Sequence, residues 1–231
     1  MRQKRGGNAF TLIELLIVVA IIAILALIAV PNFLEAQTRA KVARSKTDQR
    51  TIHVGITALM VDKNVMLVDF WDDDWDALKL RRRLEILGTP YQWHDDRGGI
   101  AGILVPITTP VAYITSLPLD PFAKDDGIAT YMGGQDGSQL VLPDRYPPFT
   151  YFYIDNDPED NGDDHGLSLY QIGSSEGRAM GIAPLREGHF VTMGLGPIPQ
   201  GNYPRAGIPY DPTNGTASAG MIVRRSDGRE K

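Results

Sequence analysis

A single carboxylate, Glu14, interrupts an apolar run that extends from Phe10 to Val30. A helix of that length spans roughly 31 Å, close to the ~30 Å hydrocarbon core of a bilayer, so the run predicts a membrane-spanning helix. A charged side chain within such a helix costs about 2.5 kcal/mol or more at depth and usually has a partner. The chemistry predicted at Glu14 is therefore charge pairing. In a plain membrane anchor, Glu14 would instead lie close enough to the interface to stay hydrated.

A second group of residues that could do chemistry is an acidic run about two thirds of the way along the chain. Six of the eleven residues from Asp155 to His165 are acidic. Calcium suits such a run because it takes about 6–8 oxygen ligands from carboxylates, amides and carbonyls. The run does not match the EF-hand pattern, and a solvated acidic loop explains it equally well. The predicted calcium ligands alternate with turn-forming residues: Asp155, Asp157, Asp160 and Asp163.

The residues before the apolar run are basic and contain no acid: Arg2, Lys4 and Arg5. A secretory signal peptide has an apolar core of about 7–15 residues, followed by a cleavage site of small residues. Here the core is longer, and the small residue, Ala9, comes before it. The order of leader, small residue and long apolar helix is therefore not that of an ordinary signal peptide.

The sequence Ala9-Phe10-Thr11-Leu12-Ile13-Glu14, followed at a distance by Pro31, resembles the processing site of type IV prepilins. The resemblance implies that a prepilin peptidase cuts between Ala9 and Phe10 and that the new terminal Phe10 is N-methylated. It places Glu14 fifth and Pro31 twenty-second in the mature chain, two positions that the family uses in filament assembly. Ala9 departs from the glycine that the family usually has before the cut.

The resemblance also implies a partner for the Glu14 carboxylate. After cleavage, Phe10 carries a cationic amine at the membrane-buried end of the helix. Staggered neighbouring helices would bring Glu14 of one copy to the Phe10 amine of the next. Because a paired charge in a low dielectric costs less than two isolated ones, subunits in the membrane are expected to assemble.

Composition argues against several function classes. The chain has 23 basic and 28 acidic residues, a net charge of −5, and without the three leader bases the balance is 20 against 28, or −8. This acidity argues against nucleic-acid binding. There is no cysteine for thiol catalysis, and no H-E-x-x-H, G-x-S-x-G or Walker motif, so the chain is not predicted to be an enzyme. Bases stand on both sides of the apolar run, so charge alone does not decide its orientation.

The remaining sequence predicts a long helix followed by short strands. Apolar residues recur at spacings of 3 and 4 from 32 to 63, so the helix is predicted to continue through Pro31 and end at Asn64. A second helix is predicted to open at 72–75. Strands are predicted over 149–154, 167–172 and 189–193, and Asn214-Gly215 is a hairpin signal.

A helix followed by several strands predicts an α+β fold with a small antiparallel sheet laid on the helix. The prepilin resemblance implies that this is the pilin fold. It also implies a basic leader at 1–9, a membrane helix at 10–31, an amphipathic continuation at 32–64 and an exported globular domain at 65–231. The segment 109–122, with Leu117-Pro118-Leu119-Asp120-Pro121, resembles a passage in major pseudopilins of type II secretion. Because major pseudopilins bind a structural calcium through a late loop, this resemblance also implies calcium as a ligand, although the acidic run here does not match that loop residue by residue.

The function that this resemblance implies is a structural subunit of a type II secretion pseudopilus. A type IV pilin for adhesion or motility, and an anchored surface-binding module, are the alternatives. The implied partners are prepilin peptidase, like subunits, minor pseudopilins, the inner-membrane assembly platform and the membrane itself, with no nucleic acid. The implied location is the inner membrane, crossed once, with the leader in the cytoplasm. Calcium is the one cofactor that the sequence suggests.

Mature protein from a host with an active prepilin peptidase is predicted to begin at N-methylated Phe10, because the motif before Glu14 matches the processing site. Mass spectrometry of the amino terminus of membrane-extracted protein tests this. The same chain from a peptidase-deficient host is the control and should retain Met1. Intact Met1–Lys231 in the peptidase-positive host would contradict the prediction.

Overall fold

The computed structural model describes residues 10–67, 103–122, 130–133, 139–141, 151–156, 185–197, 210–211, 213 and 220–228. The second helix, predicted to open at 72–75, lies outside the described residues, as do the predicted strand at 167–172 and the hairpin signal at Asn214-Gly215.

One unbroken helix, α1 (Leu12–Lys63), makes up 52 residues and confirms that the helix predicted from the sequence continues through Pro31. Proline removes one backbone hydrogen bond and can kink a helix without ending it, and here α1 continues on both sides of Pro31. The helix ends at Asn64, whose backbone is left-handed with φ of 54° and whose N–H donates to the Met60 carbonyl. Asparagine tolerates this conformation better than most residues, so the local sequence determines where the helix ends.

The two halves of α1 have different surroundings. Large apolar side chains from Phe10 to Leu34 are exposed. From Val42 onward one face is buried, and its members recur at helical spacing: Val42, Ser45, Gln49, Ile52, His53, Gly55, Ile56 and Leu59. The second half is therefore an amphipathic helix that the globular part covers.

A three-stranded antiparallel sheet packs on the second half of α1. Its order is β3 (Phe152–Asp155), β4 (Phe190–Gly194) and β5 (Ile222–Arg225), with β4 in the centre. Phe152 pairs with Met193, and Val191 pairs with Arg225. A separate antiparallel pair is formed by β1 (Thr130–Gly133) and β2 (Gln139–Val141). The long helix and small antiparallel sheet confirm the predicted α+β, pilin-like architecture.

The strands predicted at 149–154 and 189–193 are confirmed as β3 and β4 in the described part of the chain, and residues 149 and 150 lie outside it. Strand β5 was not predicted, because Ile222–Arg225 is short and ends in two arginines rather than alternating. The hydrogen bonds of β5 to the buried strand β4 stabilise it as a strand, although its own sequence does not alternate.

The core lies between α1, the segment 103–114 and the sheet. Helix side chains Ile52, Ile56 and Leu59 meet apolar residues of the short 3-10 turn Val105–Ile107 and its neighbours. Tyrosine and phenylalanine rings of the sheet close the other side: Tyr151, Tyr153 and Phe190. Gly55 permits the close approach, because a Cβ there would lie 2.9 Å from Ile114 Cγ2 and 3.4 Å from Ile107 Cδ1.

Gly55→Leu is predicted to destabilise the protein by about 1–3 kcal/mol, because the added side chain has no room against Ile107 and Ile114. Urea unfolding of the full chain in detergent, followed by circular dichroism, measures this. Thr57→Leu, at an exposed position of the same helix, is the matched control and should change stability by at most about 0.5 kcal/mol. Equal stabilities of the two variants would contradict the packing argument.

Candidate functional site

Glu14 lies in a closed hydrogen-bonded arrangement at the start of α1. Its Oε2 accepts from the Thr11 backbone N–H at 2.9 Å and from the Thr11 hydroxyl at 2.7 Å, and the Glu14 N–H donates to Thr11 Oγ1 at 3.3 Å. This reciprocal pattern is a capping box, which satisfies donors that a helix start otherwise leaves open. The carboxylate is thus hydrogen-bonded within its own chain.

The structure brings Phe10, Thr11 and Glu14 together at one exposed end of the molecule, and Phe10 is 74% exposed. Ala9 lies outside the described residues. Sequence reasoning found Phe10 and Glu14 but missed Thr11, although a threonine three residues before a glutamate is the signature of a capping box. Pro31 lies in the exposed half of α1, about 17 residues from this end.

Within the part of the chain that the structure describes, nothing covers the apolar half of α1. In the described part of the chain, one helix is long and apolar enough to cross a membrane, and its most apolar stretch is fully uncovered. Exposed apolar surface of this extent on a folded protein indicates contact with lipid or with other proteins.

A buried polar chain fastens the other half of α1 to the sheet. Gln49 Nε2 donates to the Ile222 carbonyl at 2.8 Å, and the Thr192 hydroxyl donates to Gln49 Oε1 at 3.3 Å. Because the one hydroxyl proton of Thr192 is used there, its oxygen accepts from His53 Nε2 at 2.9 Å. Four polar groups from α1, β4 and β5 are thereby satisfied together.

His53 stays neutral in this arrangement. Its ring centroid lies 4.6 Å from that of Phe190. Burial, helped by the positive charge of Arg224, lowers the pKa of His53 from 6.5 to about 3. His53 is therefore a hydrogen-bonding core residue and not a proton donor near neutral pH.

Asp120, in the passage that resembles secretion pseudopilins, anchors that passage to the sheet. The side chain is buried, and it accepts from the backbone N–H groups of Phe122 and of Leu195, just beyond β4. Burial, followed by the nearby Asp48 carboxylate, raises the pKa of Asp120 from 3.8 to about 7 although the two N–H donors and Lys41 oppose the shift. A Cβ at Gly194 would lie 2.8 Å from Asp120 Oδ2, so glycine is what lets this carboxylate reach the sheet.

The predicted calcium ligands are described only in part. Asp155 is the last residue of β3, is buried, and accepts from the Tyr153 hydroxyl at 2.7 Å. Asp157, Asp160 and Asp163 lie outside the described residues. Among the residues that the structure does describe, no three metal-binding side chains of the His, Cys, Asp or Glu type come together. Calcium binding stays a prediction from the sequence.

The N-terminal end of the chain matches a known sequence motif. A family model described as the prokaryotic N-terminal methylation motif matches residues 4–30, the stretch that contains the leader, Glu14 and the apolar run. The chain is pilin-like. The same motif family accounts for the order of leader, Phe10 and Glu14 that the sequence displays.

Three curated proteins are similar to this pilin-like chain. The type II secretion system core protein G of Pseudomonas aeruginosa is 24% identical over 174 residues, which are 72% of this chain and 96% of that protein. The type IV major pilin protein PilA of Myxococcus xanthus is 47% identical over 27% of this chain. The type IV wide pilus major component PilA4 of Thermus thermophilus is 64% identical over 16% of it.

The three relatives differ in how much of their own length is matched by this chain. The chain spans 29% and 28% of the lengths of the two pilins that it matches. It spans nearly the whole of core protein G. No solved structure matches the chain.

The buried ionisable groups predict a distinctive pH dependence. Folded Asp120, with a pKa of about 7, holds a proton that the unfolded chain has released above its ordinary 3.8, so its contribution to stability falls as the pH rises from about 4 to about 7. His53 acts in the opposite direction: the unfolded chain holds a proton up to about pH 6.5, so stability rises between about pH 3 and 6.5.

Asp120→Asn is therefore predicted to make the stability of the full chain rise more steeply with pH between about 4 and 7 than it does in the wild type. Urea unfolding in detergent at several pH values measures the slope. His53→Gln should give the opposite change, and Asp211→Asn, at an exposed site near β5, is the control for loss of a carboxylate. A slope for Asp120→Asn equal to that of Asp211→Asn would contradict the assignment.

Proposed function

We propose that this protein is a structural subunit of a type II secretion pseudopilus. It would be cut by prepilin peptidase between Ala9 and Phe10, N-methylated at Phe10 and assembled into a filament with like subunits. One observation carries the proposal: an uncovered apolar helix half, which starts at Leu12 and contains Glu14, continues without a break into a half that has one face buried under a folded sheet.

The uncovered half needs two successive surroundings. Its exposed side chains are stable in a bilayer, because this half of the helix is about as long as the hydrocarbon core is thick. They are equally stable when apolar helices of other copies surround them, because both environments exclude water. A filament drawn from a membrane pool of subunits uses the same surface twice.

The geometry of Glu14 suits a charge pair between copies. Both hydrogen bonds from Thr11 end on Oε2, and among the described residues none ends on Oε1. Oε1 would accept a hydrogen bond from the Phe10 amine of a neighbouring copy without breaking the capping box. Thr11 would act as a positioning residue, since it fixes the carboxylate near its own helix start. Pro31 would shape the helix for packing between copies.

Location follows from the same proposal. The leader would stay in the cytoplasm, α1 would cross the inner membrane once, and the globular part would be exported. Prepilin peptidase, minor pseudopilins and the inner-membrane assembly platform would be the other partners.

Coverage favours a secretion pseudopilus over a type IV pilus for adhesion or motility. Similarity to core protein G extends over 72% of this chain and thus into the globular part, whereas similarity to the two pilins covers 27% and 16%. The anchored Asp120 belongs to the passage that resembles major pseudopilins. Loss of protein secretion, with twitching motility unchanged, after deletion of the gene supports this choice over the pilus.

Glu14→Gln is predicted to insert into the membrane as well as the wild type but to form at least about tenfold fewer filaments, because the Phe10 amine of a neighbour loses its carboxylate partner. Immunoblots of membrane and sheared filament fractions measure both steps. Glu35→Gln, which removes the exposed acid paired with Arg39 on the same helix, is the matched control and should assemble normally. Wild-type filament yield from Glu14→Gln would refute the charge-pair role.

A further inference from the structure

A groove runs between the far end of α1 and the end of β5. We call it the outer groove; it is open to solvent and has a volume of about 880 Å³. Residues 50, 54, 58 and 61 are spaced by 3 and 4 and so line it from one helix face. Its main lining residues are Arg50, Val54, Ala58 and Val61 of α1, with Arg224 and Ser226 opposite.

The floor of the outer groove is apolar and uncovered. Val54 is 62% exposed and Val61 is 81% exposed. Beyond residue 34, four large apolar side chains are exposed in the described part of the chain, and the other two are Val111 and Leu119. Half of them therefore stand side by side in this one groove. An apolar floor beside charged side chains is the usual composition of a protein contact.

The charge of the chain is divided in a way that complements this groove. Segment 32–63 has 6 bases and 3 acids, a net charge of +3, whereas segment 64–231 has 14 bases and 24 acids, a net charge of −10. Arg50 places positive charge beside the apolar floor, and Arg224 lines the opposite side of the groove. Asp62 at the other edge is engaged by the Tyr113 hydroxyl. The groove thus matches an acidic protein surface that also offers apolar atoms.

We infer that the outer groove docks the acidic globular part of a second copy of this chain. The inference rests on the proposed filament, in which copies meet at high effective concentration. Anionic lipid is a poorer match, because Val54 lies 24 residues, roughly 36 Å of helix, beyond the end of the apolar run at Val30. Lipid headgroups do not extend that far from the hydrocarbon core.

Such a contact joins two different surfaces, the groove of one copy and the acidic part of another. Contacts of this kind do not close into a pair, and their repetition produces an open helical assembly. The groove face also continues toward the membrane half of α1 as exposed small residues at the same helical spacing: Ala36, Ala40, Ala43 and Thr47. A docked copy would therefore cover one continuous strip.

Because the chain has no cysteine, single cysteines report on the groove directly. In filaments of Val61→Cys, maleimide labelling is expected to be at least about tenfold slower than in the detergent-dispersed subunit, since interface cores exclude solvent. Val111→Cys, at an exposed valine outside the groove, is the matched control and should label at the same rate in both states. A benzophenone attached to the thiol of the Val61→Cys variant should give an adduct with a second copy of the chain, identified by mass spectrometry.

Charge reversal in the outer groove is a second test of this contact. Arg50→Glu is expected to reduce filament yield at least about tenfold, whereas Arg186→Glu, an exposed arginine outside the groove, should not. Equal labelling of the Val61→Cys thiol in filaments and in dispersed subunits would overturn the inference, as would a benzophenone adduct with another protein or with lipid. Those results require filaments to exist. If the wild type forms none, the proposed function fails first and the inference fails with it.

Discussion

The structure depends on one helix surface, the face of α1 that the sheet buries from Val42 onward. Each helical residue turns the face by about 100°, so a slip of one position would bring charged side chains into the core. The buried chain of Gln49, Thr192 and His53 prevents such a slip, because its hydrogen bonds are satisfied in one register only. Apolar packing supplies most of the attraction, and these bonds select its geometry.

Fixing that face makes α1 a rigid link between two environments. A 52-residue helix is roughly 78 Å long, and Pro31 removes one backbone hydrogen bond without ending it. The globular part and the Thr11–Glu14 capping box are consequently held at opposite ends of one element. In the proposed filament, this one element would connect the contact at the helix start with the sheet.

Ionisable groups are handled differently in the two regions. Within the globular part, burial keeps His53 neutral near neutral pH and raises the pKa of Asp120 to about 7. On the outer face of α1, Arg50 is exposed to water, while most acids belong to the rest of the chain. This separation leaves a subunit with a basic helix and an acidic body, which favours ordered contact over random association.

The sequence by itself determined the features that depend on near neighbours. The bilayer-length apolar run, the continuation of α1 past Pro31, its end at Asn64 and two of the three sheet strands all follow from local periodicity and caps. Strand β5, the burial of Asp120 and the link from Gln49 to Ile222 were decided by the tertiary structure. Strand β5 pairs with residues of β4 that lie 28 to 34 positions away, and the Asp120–Leu195 and Gln49–Ile222 bonds join residues 75 and 173 positions apart. No local pattern encodes such a meeting. The energy of a long-range contact depends on which groups the whole fold brings together and removes from water.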